Sequence, residues 1–157
     1  MKTVDILLVE DNPDDAEMSL YAFNTSLEKL TPKLWHVKDG VEALQFIFGD
    51  KGINEPDLVN IKLIILDIKM PRLNGFDVLA ALKEDARTKD IPVIILTSSK
   101  EKSDLLLAYN LGAEKYIVKP IAFEEYVSTI AEIGEYWKKM RTPLKHKRLR
   151  KVPIDTK

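Results

Sequence analysis

The sequence predicts an α/β fold: a doubly wound parallel sheet of five strands with five helices covering its two faces. Three observations predict it. Short aliphatic runs alternate with segments of helical period along the 157 residues. Leu63-Ile64-Ile65-Leu66 and Val93-Ile94-Ile95-Leu96 lack polar alternation, which means burial on both faces. Four runs also end in polar groups: Val4 to Val9 in Glu10-Asp11, Leu63 to Leu66 in Asp67, Val93 to Leu96 in Thr97, and Tyr116 to Val118 in Lys119. If these runs are parallel strands, the four ends meet at one rim, where open α/β sheets bind ligands.

The elements follow in order. After the first run, Asn12 is a good N-cap, Pro13 suits the first helical position, and Asp14 and Asp15 favour the positive end of the helix dipole. Ala16, Leu20, Phe23, Leu27 and Leu30 then trace one helical face, closed by Thr31-Pro32. Leu34 to Lys38 reads as the second strand. Asp39-Gly40 opens a helix with Val41, Leu44 and Phe48 on one face, ending near Gly49. Residues 50–60 read as a long polar loop. Lys62 to Asp67 is the third strand, followed by a turn-rich loop through Pro71 and Asn74-Gly75. Phe76 to Ala86 is helical, Pro92 to Thr97 the fourth strand and Glu101 to Leu111 the fourth helix, stopped by Gly112 in the manner of a C-cap. Lys115 to Val118 is the fifth strand and Phe123 to about Met140 the last helix.

Composition excludes several classes of function. The chain has no cysteine, so disulfides and thiolate metal sites are ruled out. No apolar stretch approaches the roughly 20 residues needed to cross a bilayer, and Met1-Lys2-Thr3 runs directly into a strand, leaving no room for a signal peptide. The expected location is the cytoplasm. The net charge of −1 hides an asymmetry, because Lys138 to Lys151 holds eight Lys/Arg and no acid. Residues 1–137 carry 15 basic against 24 acidic groups. One domain over 1–137 with a basic tail over 138–157, continuing the last helix and partly disordered, is the expected organisation.

A lone Asp67 at a strand end would ordinarily be a cap. Here Glu10 and Asp11 end a strand that would lie beside it, and adjacent acids repel and raise one another's pKa unless a cation separates them. Three carboxylates at one rim call for a hard divalent ion, with Mg²⁺ the default; pure helix capping is the alternative for Glu10-Asp11. Thr97 could equally supply an N-cap, as could Ser98, Ser99 or Ser103. Lys119 at the same rim would offset the acids and grip a phosphoryl oxygen as a point charge. Tyr116 is either a core aromatic or a movable one.

Together these residues carry a resemblance. Glu10-Asp11, Asp67 within D-x-K-M-P-x-x-N-G, Thr97 and Tyr116-x-x-Lys119-Pro120 resemble the receiver domain of two-component response regulators over about residues 4 to 137. The resemblance implies a flavodoxin/CheY-like sheet in order 2-1-3-4-5. It implies Asp67 as phosphoacceptor from a sensor histidine kinase, and Mg²⁺ held by Glu10, Asp11, Asp67 and the backbone carbonyl of Lys69. Lys119 would contact the acyl phosphate, with a cis bond before Pro120; Thr97 would move to the phosphoryl group and Tyr116 would swing inward. Departures are small: Glu10 stands where Asp is more usual, and Ser98 where Ala or Gly is common. Asn12-Pro-Asp-Asp-Ala, the loop at 50–60 and Tyr136-Trp137 further resemble the single-domain regulators paired with phytochromes and related hybrid kinases.

The output expected is a switch in protein–protein contact through the surface of the last two helices, Leu105 to Leu111 and Phe123 to Trp137. A homodimer through those helices and the C-terminal extension is the self-association this reading allows. The competing readings are a receiver-like scaffold that is never phosphorylated and an aspartyl-phosphate phosphatase-type enzyme. That enzyme needs a second Asp two residues after the nucleophile, where this chain has Lys69. There is no Gly-rich phosphate loop. Neither His36 nor His146 adjoins a partner motif, so histidine catalysis is not expected. The tail, over about 20 residues, is too short for a DNA-binding domain and lacks the interleaved aromatics of a base-stacking surface, so nucleic acid is not the expected partner.

Overall fold

The computed structural model describes residues 4–26, 32–49 and 61–140. Strands β1 (Ile6–Val9), β2 (Leu34–Val37), β3 (Leu63–Leu66), β4 (Val93–Thr97) and β5 (Lys115–Val118) form one sheet. All pairings are parallel and the order is β2-β1-β3-β4-β5, as expected. Five helices lie among the described residues: α1 (Pro13–Ser26), α2 (Gly40–Phe48), α3 (Gly75–Glu84), α4 (Lys102–Asn110) and α5 (Phe123–Met140). The predicted Leu27, Leu30 and Thr31 positions, the loop at 50–60, the N-terminal Met1-Lys2-Thr3 and the tail beyond Met140 lie outside the described residues.

Strand alternation builds two cores. On β1, Ile6 and Leu8 join Ala16, Ala22, Phe23, Tyr126 and Ile130 under α1 and α5. Leu7 and Val9 point the other way, into a cluster with Ala43, Ile47, Val78, Leu79 and Leu82 under α2, α3 and α4. Period-2 side chains with helices on both faces leave every residue of β1, β3 and β4 buried. The chain leaves β1 toward β2, then crosses back past β1 to β3. That reversal opens the crevice between β1 and β3 at their carboxyl ends.

Local sequence explains several helix ends. Asn12 Oδ1 accepts from Asp15 N at 3.0 Å, and Asp39 caps α2 by accepting from Glu42 N at 2.8 Å. Helix α4 ends at a full Schellman motif: Gly112 sits at φ +108° and donates to Tyr109, and Ala113 donates to Ala108.

Three expectations are corrected. Asn74-Gly75 is a helix start, because Asn74 and Asp77 form a reciprocal capping box. The α4 N-cap is Glu101, which makes no side-chain cap bond, while Ser99 donates to Asp104 at 2.6 Å. The buried face of α2 is Gly40, Ala43 and Ile47 rather than Val41, Leu44 and Phe48, which are half-buried. Gly40 lies so close to Leu73 and Val78 that a Cβ there would collide, Ala43 and Ile47 enter the core, and Leu44 and Phe48 pack around them.

Candidate functional site

Pairing of β1 with β3 places Glu10-Asp11 beside Asp67. Leu66 is level with Val9, Asp67 N donates to Val9 O at 3.1 Å, and Glu10 N donates to Val37 O at 3.1 Å. Glu10 and Asp67 are buried, whereas Asp11 is exposed at the mouth. One carboxylate oxygen from each of Glu10, Asp11 and Asp67 lies within 4.8 Å of the others. Asp67 Oδ1 also accepts from Ile68 N at 2.7 Å, which orients the carboxylate. Gly75 is required here, because a Cβ at that position would collide with the Asp67 carbonyl oxygen.

Burial, followed by the charge of Asp67, pushes the Glu10 carboxyl up to about 8, against the opposing pull of Lys119. Such crowding is what a bound cation relieves. Three oxygen donors, two of them buried and one open to water, fit a hard divalent ion of the Mg²⁺ type. Lys69 lies two residues after Asp67 with its side chain exposed.

Lys119 reaches into this cluster from the end of β5. Its Nζ lies 3.0 Å from Glu10 Oε1, 3.0 Å from Asp67 Oδ2 and 2.8 Å from Asp15 Oδ2. Burial alone would lower the lysine's pKa, but the hydrogen bond it donates to Asp15 and the charges of Asp67 and Glu10 more than offset it and hold the pKa above its usual range. The ammonium is therefore fixed in its charged form beside Asp67. The Lys119 backbone is held as well, with its N–H donating to Thr97 O at 2.7 Å.

Thr97 ends β4 next to that bond and is fully buried. Its Oγ1 accepts from Ser99 N at 3.3 Å. Tyr116 pairs with Ile95, and its hydroxyl donates to Ser99 O at 3.0 Å. Burial raises the Tyr116 pKa, so the hydroxyl stays protonated and able to donate. Thr97 and Tyr116 thus both bond to Ser99 in the turn between β4 and α4, and Ser99 in turn bonds to Asp104 in the first turn of α4.

The structure brings the predicted side chains Glu10, Asp11, Asp67 and Lys119 together, with Thr97 on the adjacent strand end. One expectation fails: no peptide bond among the described residues is cis, so the Lys119–Pro120 bond is trans. A bond to proline prefers trans by only about 0.5–1 kcal/mol, too little for a sequence to decide. Two neighbours were not foreseen. Asp15 read only as a first-turn acid, and nothing local signals its contact with a residue 104 positions away. His36 bonds through Nε2 to the Glu10 carbonyl at 2.8 Å, a proximity that only the β1–β2 pairing makes visible.

Comparison with known proteins places this geometry. The model of the response regulator receiver domain matches residues 6–131. The chain belongs to that family. It is 35% identical over 134 residues to the probable methanogenesis regulatory protein FilR2 of Methanothrix harundinacea, covering 84% of this chain and 82% of that protein. Identity to response regulator Rcp1 of a Synechocystis species is 30% over 132 residues, covering 84% and 87% of the two chains. The Mn²⁺-bound structure of Rcp1 superposes with a TM-score of 0.76 at 29% identity over 85% of this chain and 94% of that one. The phosphorylated cyanobacterial phytochrome response regulator RcpA gives 0.78 at 28% identity, covering 90% and 98%. This receiver domain therefore has the five-stranded fold and acidic rim of a two-component signalling protein, and no helix among its described residues is long and apolar enough to cross a membrane.

Proposed function

We propose that this receiver accepts a phosphoryl group on Asp67 from a sensor histidine kinase and signals through altered protein–protein contacts. The observation that carries the reading is the convergence of Glu10, Asp11 and Asp67 on one ion-sized space with Lys119 against Asp67. In the transfer, an Asp67 carboxylate oxygen attacks phosphorus and the P–N bond to the kinase histidine breaks. The electron pair leaves with the imidazole nitrogen, which takes up a proton from water, and an acyl phosphate remains. A loose transition state of this kind is stabilised by positioning and charge rather than by a general base. Glu10, Asp11, Asp67 and the Lys69 carbonyl would hold Mg²⁺, which supplies charge neutralisation when bound. Lys119 orients and neutralises a phosphoryl oxygen. Thr97 would turn its hydroxyl to the phosphoryl group, and Tyr116 would follow through their shared turn. The output is a two-state switch biased by these new charge-assisted bonds.

Similarity to Rcp1 and to the phytochrome regulator RcpA supports a phytochrome or hybrid kinase as the donor. Residues 1–137 form the receiver and 138–157 a basic extension. The chain then acts as a phosphorylated signalling protein rather than an enzyme with a separate substrate, at work in the cytoplasm. Exposed Leu106, Leu107 and Tyr109 on α4 supply apolar contact area on the output face, for a target protein or a second copy. The test is a titration with beryllium fluoride, a phosphoryl mimic, followed by backbone NMR at Thr97, Ser99 and Lys119. Shifts that require Mg²⁺ are expected. No Mg²⁺-dependent response would instead indicate an unphosphorylated scaffold.

A further inference from the structure

We infer that Asp15 is a positioning residue for Lys119, keeping the ammonium over Asp67 when a cation takes the oxygens of Glu10. The inference rests on the phosphoacceptor reading and adds to it a residue outside the acid cluster. It begins at the α1 N-terminus, where Asn12 is the cap and Asp15 stands three residues on. An acid at that position commonly reaches back to the backbone N–H of the cap. Here Glu10 Oε2 accepts from Asn12 N at 3.2 Å instead. The Asp15 carboxylate is thereby released from local duty, and its Oδ2 meets Lys119 Nζ at 2.8 Å, the shortest of the lysine's ion pairs.

An ammonium has three hydrogens to donate, and Lys119 has three carboxylate partners: Glu10, Asp15 and Asp67. Glu10 and Asp67 belong to the cluster that fits a divalent ion; Asp15 does not. Once the cation claims the first two, Asp15 is the one carboxylate left on the lysine. Without it, Lys119 would fall back on Glu10 and Asp67 and compete with the cation for their oxygens. The lysine side chain is only 8% exposed, so solvent screens this contact weakly. Stabilising the helix dipole is the ordinary role for a first-turn acid, but the exposed Asp14 next to it serves that purpose equally well.

The test is a double-mutant cycle on the full chain with D15N and K119M, using K119Q as the background if K119M does not fold. Mg²⁺ affinity is read by calorimetry, and phosphoryl uptake from acetyl phosphate is read at saturating Mg²⁺. D15N alone is expected to weaken Mg²⁺ binding and slow uptake by about fivefold each, the slowing persisting at saturating Mg²⁺, while D15E recovers part of both. In the K119M background D15N should change either quantity by less than about twofold, the scatter of uncoupled sites. Equal effects in the two backgrounds, or uptake restored to the wild-type rate by saturating Mg²⁺, would overturn the assignment. Wild-type protein that takes up no phosphoryl group under any Mg²⁺ concentration would refute the phosphoacceptor reading itself. The Mg²⁺ cycle still judges the Asp15–Lys119 coupling by itself.

Discussion

The Lys119 ammonium lies 3.0 Å from Oδ2 of Asp67, joining the ends of β3 and β5 across β4. The lysine serves as a built-in counter-ion for carboxylates that would otherwise repel one another. The same position lets it meet an oxygen attached to Asp67. Its two roles pull in opposite directions when it is removed. Lys119→Met should tighten Mg²⁺ binding, because a competing cation is gone, yet slow phosphoryl uptake by about a hundredfold through loss of one charged donor at the reacting group. Calorimetry and a single-turnover uptake assay on the same variant check the two directions. Weaker Mg²⁺ binding would show that the lysine does not compete for the acids.

A second prediction concerns the seam between α1 and α5. Ser19 and Tyr126 bring their hydroxyls to 3.0 Å, both residues being fully buried. Burial pushes the Tyr126 phenol up to about 12, so it remains neutral and bonded. Tyr126→Phe leaves the Ser19 hydroxyl unsatisfied and should cost about 1–3 kcal/mol. Adding Ser19→Ala removes the orphaned group and should recover much of that loss. Urea unfolding of the two single variants and the double variant decides the point.

Asp39 governs a pH effect. Its carboxylate accepts from Glu42 N and from Arg72 Nη2 at 2.9 Å, and these bonds, chiefly the first, hold its pKa below the ordinary 3.8. A depressed carboxyl pKa stabilises the fold above 3.8 and loses that contribution as pH falls through the depressed value. Arg72 is largely exposed, so the cap matters more than the ion pair. Asp39→Ala should cost about 1 kcal/mol at neutral pH. The gap from wild type should be flat above about pH 5 and narrow as the medium becomes more acidic than 3.8. Chemical unfolding at several pH values measures it, and a gap that widened in acid would contradict the assignment.

Much of this architecture is legible before any coordinates. Unbroken aliphatic runs at Leu63–Leu66 and Val93–Leu96 announce strands buried on both faces, and the structure buries them completely. Glu10-Asp11, Asp67 and Lys119 are legible because they stand at the ends of apolar runs, and parallel strands bring those ends to one rim. Asn74-Gly75 misleads, since the same dipeptide suits a turn or a capped helix, and only close packing of Gly75 on the Asp67 backbone decides. The partial burial of Val41, Leu44 and Phe48, at the margin of the core rather than its centre, escapes periodicity for a related reason. Gly40 and Ala43 are small and add little to a hydrophobic pattern, so Ile47 is the one strong apolar mark of the stripe that is buried. Asp15 and His36 belong to a third class, whose roles arise from contacts between distant segments that no local pattern encodes.

The central claim is that Asp67 becomes an acyl phosphate in a Mg²⁺-dependent reaction. Mass spectrometry of intact wild-type and Asp67→Asn proteins, after incubation with acetyl phosphate and Mg²⁺, tests it most directly. Wild type should gain one phosphoryl mass that hydroxylamine removes and a chelator prevents, while Asp67→Asn should gain none. An equal, hydroxylamine-sensitive gain on Asp67→Asn, or a wild-type chain that stays unmodified, would contradict the account.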